Sequence, residues 1–383
     1  MLAPLENDPR DYAWGSTALI ADLQGRPASG SPEAEVWFGD HPGSPARLGD
    51  GTRLDVWLGA QGAGALSYLL KLLAAASPLS IQVHPSKERA EAGFAAEDAA
   101  GVPRDAPERN YRDANHKPEI IVAVSERFEA LAGLRDVAAT RRMLDLLPQT
   151  PGVRELDRML SGADATAALR DTLAWLLSGH AQAVVADVIA ALDAVTDPDG
   201  FAAELAAVRR IATAYPGDPG VVVALLMNLV VLARGEALYA PAGVLHAYLD
   251  GLGVELMAAS DNVLRGGLTP KHIDVDELLR VVDTRPSDPP RIAPEAVADG
   301  IDVFRPDVPD FELWRVRVAD GVARTLPLHG PAIALAVSGA LHVTGASGQA
   351  VDLTPGRAAF ASADEAELTV TGTGDLFVAL PGH

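Results

Sequence analysis

Residues 235–246 read GEALYAPAGVLH, and within them Gly235, Pro241, Gly243 and His246 fall at the spacing G-x5-P-x-G-x2-H. A proline and a glycine two positions apart shape a tight turn, and the histidine follows on the next strand. Such a histidine is either a metal ligand or a strand side chain satisfied by a backbone carbonyl, and the motif alone leaves both open. Outward from this turn the chain has three textures. Residues 1 to about 125 are broken by Gly and Pro into short apolar runs, EVWFG, RLDVWLG and PLSIQVHP, which predict strands joined by turns. From about Arg127 to Arg234, the runs TLAWLL, AQAVVADVIAALDAV and FAAELAAVRRIATAY space apolar residues three and four apart, which predicts helices. Residues 221–233 are read as a core helix, too short to span a bilayer and interrupted by Asn228. Short strands return after Gly235, with two more runs at 332–343 and 367–380. The expected fold is mainly β with an α-helical insertion, without internal repeats or low-complexity linkers.

The 383 residues suffice for two or three folding units. With 31 basic and 52 acidic residues the net charge is −21, a field that repels polyphosphate and argues against nucleic acid or an anionic membrane as partner. Any anionic ligand then needs a local basic pocket. Cysteine is absent, which excludes disulfides, thiolate zinc sites, iron–sulfur clusters and cysteine nucleophiles. A metal must therefore be held by His, carboxylate or amide groups. The segment MLAPLENDPRDYAWG lacks the basic and apolar regions of a secretory signal, so a cytoplasmic location is expected.

Three further segments carry polar groups in chemically meaningful patterns. In PLSIQVHP (78–85), Ser80, Gln82 and His84 alternate and so emerge on one face of a strand, where Gln82 and His84 make half of a metal site. In NYRDANHKPE (110–119), His116, Lys117 and Glu119 crowd around Pro118, which suits only an edge strand or a bulge. In GVELMAASDNVLRGGLTPKHID (253–274), Glu255 stands in an apolar strand, and residues 262–272 carry no acid but supply Arg265, Gly266, Gly267 and Lys271. In so acidic a chain this is a candidate phosphate cradle, against the plainer reading of a surface turn with two bases. Arginine is the default cation, and only four lysines occur: Lys71, Lys87, Lys117 and Lys271. Three lie in or beside these segments, and Lys71 interrupts the apolar run LSYLLKLLAAA, so each is a candidate for chemistry that needs a compact ammonium. The plainer reading has Lys71 snorkelling out at a strand end and Lys87 simply exposed.

The turn at 235–246 resembles the second conserved motif of the cupin superfamily, with Asp250 where that motif usually has Asn. Six stretches together, in order, resemble the type I mannose-6-phosphate isomerases (phosphomannose isomerases). They are YAWGS from Tyr12, AEVWFGDHP from Ala34, LLKLLAAASPLSIQVHP from Leu69, YRDANHKPE from Tyr111, APAGVLHAYLDG from Ala240 and VELMAASDNVLRGGLTPKHID from Val254. The helical block and everything after about residue 285 match only in general character. The resemblance implies tandem cupin barrels (double-stranded β-helices) plus a helical domain. Residues 1–126 and 235–285 would form a catalytic zinc-binding cupin domain, 127–234 the helical domain, and 286–383 a C-terminal cupin-like β domain. In that last unit TPGRAAF has Ala and Phe where a ligand His is expected, so it is read as metal-free. His329 and His342 are then structural or exposed, as are His41, His180 and His383.

The resemblance further implies one Zn2+ per chain held by Gln82, His84, Glu119 and His246, an N/O set in keeping with the missing cysteine. Arg265 falls on a catalytic position, and Lys71 and His116 match positions proposed for proton transfer and ring opening. Trp14, Ser80, Lys117, Tyr248, Glu255, Asp261 and Lys271 fall on pocket positions. The implied reaction interconverts D-mannose 6-phosphate and D-fructose 6-phosphate by proton transfer through an enediol(ate). Among bases Lys117 leads, with Glu255 and His116 as rivals; Lys271, helped by Lys87 or backbone N–H groups, is the candidate phosphate contact. The implied partner is a small phosphosugar, and the protein is expected as a monomer or weak homo-oligomer. Two other classes stay open: a metal-binding cupin without isomerase activity, acting as a sugar-binding sensor or storage protein, and an iron-dependent cupin oxidase or dioxygenase. Gln82 fits the second less well than it fits a zinc isomerase.

Overall fold

In the computed structural model, which describes residues 1–196, 199–319 and 321–383, most of the short apolar runs at both ends of the chain become strands of two ten-stranded sheets; RLDVWLG does not, since Leu54–Ala60 is a helix whose Leu54 and Leu58, four apart, are buried. The hub of the first sheet is the long strand His246–Ala258 that follows the GEALYAPAGVLH turn. Its first half pairs antiparallel with Ile81–Val83 and Arg127–Leu134, its second half with Tyr68–Ala75 and Glu119–Ala123. In register, His246 opposes Gln82, Gln82 opposes Arg265 on its other side, and Glu255 opposes Lys71. Four of the segments singled out by their chemistry therefore share one sheet.

Two local features make that register work. Side chains alternate along a strand, so His246 and Tyr248 should face away from Glu255. A register shift between Tyr248 and Asp250 adds one residue, and all three line one pocket. In the turn itself Gly243 has φ +84, a left-handed conformation that glycine adopts without steric cost. Its N–H donates to the His84 carbonyl at 2.9 Å, which ties the turn to the PLSIQVHP segment.

The second sheet runs in the order Glu295–Ala298, Ile301–Phe304, Glu312–Val318, Glu367–Leu380, Ala332–Gly345, Ala358–Ala361, Leu2–Glu6, Arg47–Leu48. Residues near the start of the chain thus close the sheet built from its end. One apolar cluster joins the two sheets, taking Leu70, Leu72 and Val254 from the first and Phe304, Leu335 and Phe377 from the second. At about 1.5–3 kcal/mol per buried large side chain, separating the sheets is prohibitive. The opposite face of Tyr68–Ala75 turns Leu73 and Ala75 into a separate interior with Ile121, Phe128 and Tyr248, and Lys71 shares that parity.

The helical region differs from the sequence reading at its edges. Helices run from Val137–Asp145 to Gly220–Leu225, and Pro151–Leu160 is typical: the Thr150 side chain accepts from Val153 N–H, and Val153, Leu156 and Leu160 are buried. Arg127–Leu134 and Met227–Ala233, however, are strands paired with each other. Residues 221–233, read as one core helix, are thus the end of a six-residue helix followed by a strand. An apolar run broken only by Asn228 has no period to choose between the two, and the open edge beside Arg127–Leu134 decides it. Among the described residues no single helix is long and apolar enough to cross a membrane. Ala165–Leu177 and Gln182–Leu192 meet the length and composition test only as a pair bent by 102°, and both contribute to a buried core.

The loop that delivers Lys117 and Glu119 hangs from Tyr111. Its N–H donates to Glu97, its hydroxyl donates to Glu277, and its ring lies against Gly93 of the helix Lys87–Ala99. A Cβ on Gly93 would stand 2.4 Å from that ring. Gly93→Ala should therefore destabilise the protein: overpacking costs about 1–3 kcal/mol, against at most about 1 kcal/mol regained from helix propensity. Urea unfolding reads the net loss, and an unchanged or raised midpoint would contradict so close an approach.

Candidate active site

Three buried side chains from three segments of the first sheet converge, although Glu119 opposes Met257, near the far end of the hub strand from His246. His84 follows Ile81–Val83, Glu119 opens Glu119–Ala123, and His246 opens the hub itself. His84 Nε2 lies 3.2 Å from one Glu119 oxygen and His246 Nε2 lies 3.2 Å from the other. All the donor atoms fall within 4.8 Å of one another. On their outer edges, His84 Nδ1 meets the Asn262 carbonyl at 2.8 Å and His246 Nδ1 meets the Val244 carbonyl at 3.0 Å. A carbonyl only accepts, so each ring is assigned its proton on Nδ1 and presents an Nε2 lone pair toward Glu119.

The electrostatics suit a cation. Burial pushes the His84 imidazole down to about 4, so it is neutral at pH 7. Its Nε2 is buried without a hydrogen-bond partner, an orphaned acceptor that costs about 1–3 kcal/mol unless something binds it. Burial opposes the charge on Glu119, but Lys117 at 2.8 Å holds its carboxyl well below the usual carboxylate range. Gln82 lines the same pocket as Glu119 and His246; its amide N–H donates to Ser80 Oγ at 3.3 Å, and its amide oxygen makes no hydrogen bond among the described residues. Two imidazoles, one carboxylate and one amide oxygen form a donor set that zinc accepts.

On the pocket wall, Lys71 is buried mid-strand rather than snorkelling out. Its Nζ lies 3.0 Å from Glu255 and 3.5 Å from Glu35, with the Trp37 ring 5.2 Å away. Burial alone would strip its proton, but Glu255 and Glu35 outweigh that and hold the ammonium above its ordinary pKa. Burial also pushes the Glu255 carboxyl up, against the pull of Lys71, and pushes the Tyr248 phenol up. The inner pocket, about 70 Å³, shares Gln82, Glu35 and Leu79 with a cleft of about 460 Å³ whose other walls include Trp14, Ser80, Arg265 and Lys271.

That cleft has a positive end. Neither Arg265 nor Lys271 has an acidic partner among the described residues. Burial, then Arg112, lowers the Arg265 pKa; burial, then Arg265 and Arg112, lowers that of Lys271. Two unpaired cations in a chain of charge −21 mark a local anion site.

Besides the fully buried His84, three expected residues line neither cavity. His116 Nε2 sits 2.6 Å from Asp310 Oδ2, and Asp261, exposed, lies 3.3 Å from His41. Lys87 is exposed and donates to Asn115. Sequence reasoning misses two residues that matter. Glu35 lines both cavities and accepts from Trp37 Nε1 at 2.8 Å; the signal is its acid-apolar alternation with Trp37 in EVWF. Asn262 is fully buried, and its side chain holds Arg112 N–H and the Asp113 and Asn115 carbonyls while its own carbonyl holds His84. No local pattern in NVLRGG marks it.

The model of the phosphomannose isomerase type I catalytic domain matches residues 2–137. The chain is 36% identical over 389 residues to mannose-6-phosphate isomerase of Escherichia coli (strain K12), covering 97% of both. It is 30% identical over 423 residues to that of Homo sapiens, covering 98% of this chain and 97% of the other. A crystal structure of a phosphomannose isomerase mutant from Salmonella typhimurium superposes with a TM-score of 0.89 at 34% identity, and that of a zinc-bound mannose 6-phosphate isomerase with 0.88 at 34%; each covers 100% of both chains. With such identity sustained along nearly its whole length, the chain belongs to the type I phosphomannose isomerase family.

Proposed function

We propose that the chain is a zinc-dependent isomerase that interconverts D-mannose 6-phosphate and D-fructose 6-phosphate in the cytoplasm, by proton transfer through an enediol(ate). One observation carries this reading: a buried, orphaned imidazole in an N/O donor set stands beside a Lys–Glu chain, next to a cleft whose far end holds two unpaired cations. A sugar phosphate needs each part.

His84, Glu119, His246 and Gln82 would hold the zinc ion, which when bound supplies positive charge to the sugar's carbonyl oxygen and to the enediolate. The rest falls to the chain. Lys271 takes the phosphate, and because that group is remote from the reacting carbons, its binding energy keeps the sugar in register. Arg265, opposite Gln82 in the sheet, sets fixed positive charge between the phosphate end and the inner pocket, where it stabilises the enediolate. The Lys71–Glu255 pair gives a proton to the ring oxygen as its bond to C1 breaks and takes up the proton that leaves the O1 hydroxyl; on closure at C2 the two transfers reverse. Lys117 removes the C2 proton of the open aldose and returns it to C1, while the hydroxyl proton passes from O2 to O1. Glu255 is the rival base; His116 comes last, since it lies on Asp310 outside both cavities.

We also read the two sheets as cupin barrels, with 1–126 and 235–285 as the catalytic unit, 127–234 as the helical unit and 286–383 as the C-terminal unit. The hub strand supports this, since its two halves pair with different neighbours and enclose an apolar interior of their own. Strands cross those boundaries: Leu2–Glu6 and Arg47–Leu48 join the C-terminal sheet, and Arg127–Leu134 and Met227–Ala233 join the hub.

Dialysis against a chelator should abolish isomerase turnover, and added Zn2+ should restore it. His246→Ala should lose bound zinc and activity together, by more than the roughly 10–100-fold that follows loss of an outer partner of a ligand. Elemental analysis beside a mannose 6-phosphate assay reads both; full zinc with full turnover would remove His246 from the centre. Arg265→Ala should lower kcat by roughly 100–1,000-fold with zinc content unchanged, and wild-type turnover would remove it from the mechanism. Lys271→Ala should instead act mainly on KM. Lys117→Met should cost roughly 100–10,000-fold in exchange of the C2 proton with solvent deuterium; if Glu255→Gln takes that loss and Lys117→Met does not, the base is Glu255.

A further inference from the structure

Glu312 opens the strand Glu312–Val318 and is fully buried. One of its oxygens accepts from Trp314 Nε1 at 2.6 Å and the other from Arg305 Nε at 2.9 Å. A carboxylate has about four acceptor positions, so two remain open. Two imidazoles stand over them: His329 Nε2 lies 3.4 Å from the first oxygen and His383 Nε2 lies 3.8 Å from the second. The rings are stacked, with centroids 4.3 Å apart and planes 26° from parallel. Bonds of about 2.0–2.2 Å to one tetrahedral ion set its ligands roughly 3.4 Å from each other, close to both separations. Among the described residues only two groups bring three such donors within 4.8 Å, and the other is the active site.

We propose that Glu312, His329 and His383 form a second site for a divalent ion of the zinc class, on the C-terminal sheet. The Pro381 carbonyl oxygen, 2.8 Å from His329 Nε2, is the natural fourth donor. On binding, the proton that His329 Nε2 gives to this carbonyl moves to Nδ1, which frees the Nε2 lone pair. Local charge favours the ion, because Arg305 is shared between Glu312 and Glu295, leaving two carboxylates for one guanidinium. An N2O2 set with two imidazoles suits Zn2+, Cu2+ or Ni2+ better than Ca2+ or Mg2+. This replaces the reading of His329 and His383 as merely structural or exposed. It does not touch the reading of TPGRAAF, since Ala358–Ala361 is a different strand.

The ion would fasten the ends of Arg324–Pro327 and Glu367–Leu380 to the start of Glu312–Val318. Two residues earlier, Asp310 holds His116 of the loop that carries Lys117, so the site braces the junction between the two sheets. The test compares wild type with His329→Ala, His383→Ala and the double variant, each equilibrated against the same micromolar free Zn2+. Elemental analysis should find one zinc equivalent fewer in the double variant than in wild type, and the same loss or weaker binding in each single variant. In His246→Ala that equivalent should remain, which separates it from the active-site ion. Excess Zn2+ should raise the thermal unfolding midpoint of wild type by more than that of the double variant, which keeps only the active-site ion. His329 and His383 are exposed, and circular dichroism checks that the variants fold. Equal zinc content in wild type and the folded double variant overturns the proposal.

Discussion

A buried imidazole nitrogen with a free lone pair and nothing to bind is a cost, and the first sheet is built around accepting it. His84, Glu119 and His246 come from segments far apart in sequence, and they meet because one strand, His246–Ala258, pairs with all their carriers or neighbours. Shift that register by one residue and His246 would leave Gln82 and Glu119. The single bulge after Tyr248 is the exception that proves useful, since it turns Glu255 to the same side. Asn262 and Gly243 then lock the arrangement through backbone contacts to His84.

Charge is arranged with the same economy. In a chain of net charge −21, Lys71 is paired twice with acids and kept charged at depth, while Arg265 and Lys271 are left without acidic partners. The first arrangement holds a proton inside the protein. The second leaves positive charge for a ligand. Water-poor surroundings strengthen the first, because a low local dielectric magnifies each unscreened charge.

Much of this was written in local patterns. The alternation of Ser80, Gln82 and His84 and the turn ending in His246 are period-two and turn signals that survive folding unchanged, and the lysines stood out by rarity. The apolar runs at 127–134 and 221–233 were not legible, because Leu and Ala fit helix and strand alike, and the open edge of the hub chose strand. Glu35 and Asn262 act through partners distant in sequence, Lys71 for one and His84 for the other. The same holds for His329 and His383, which meaningfully approach Glu312 only once the C-terminal sheet forms.

The central claim is that four side chains distant along the polypeptide share one ion. Anomalous diffraction at the zinc absorption edge from crystals of the zinc-loaded protein tests it most directly. A strong peak within bonding distance of His84 Nε2, His246 Nε2, Glu119 and the Gln82 amide oxygen is the expected result. No peak there, or one that leaves out either imidazole, would contradict the account.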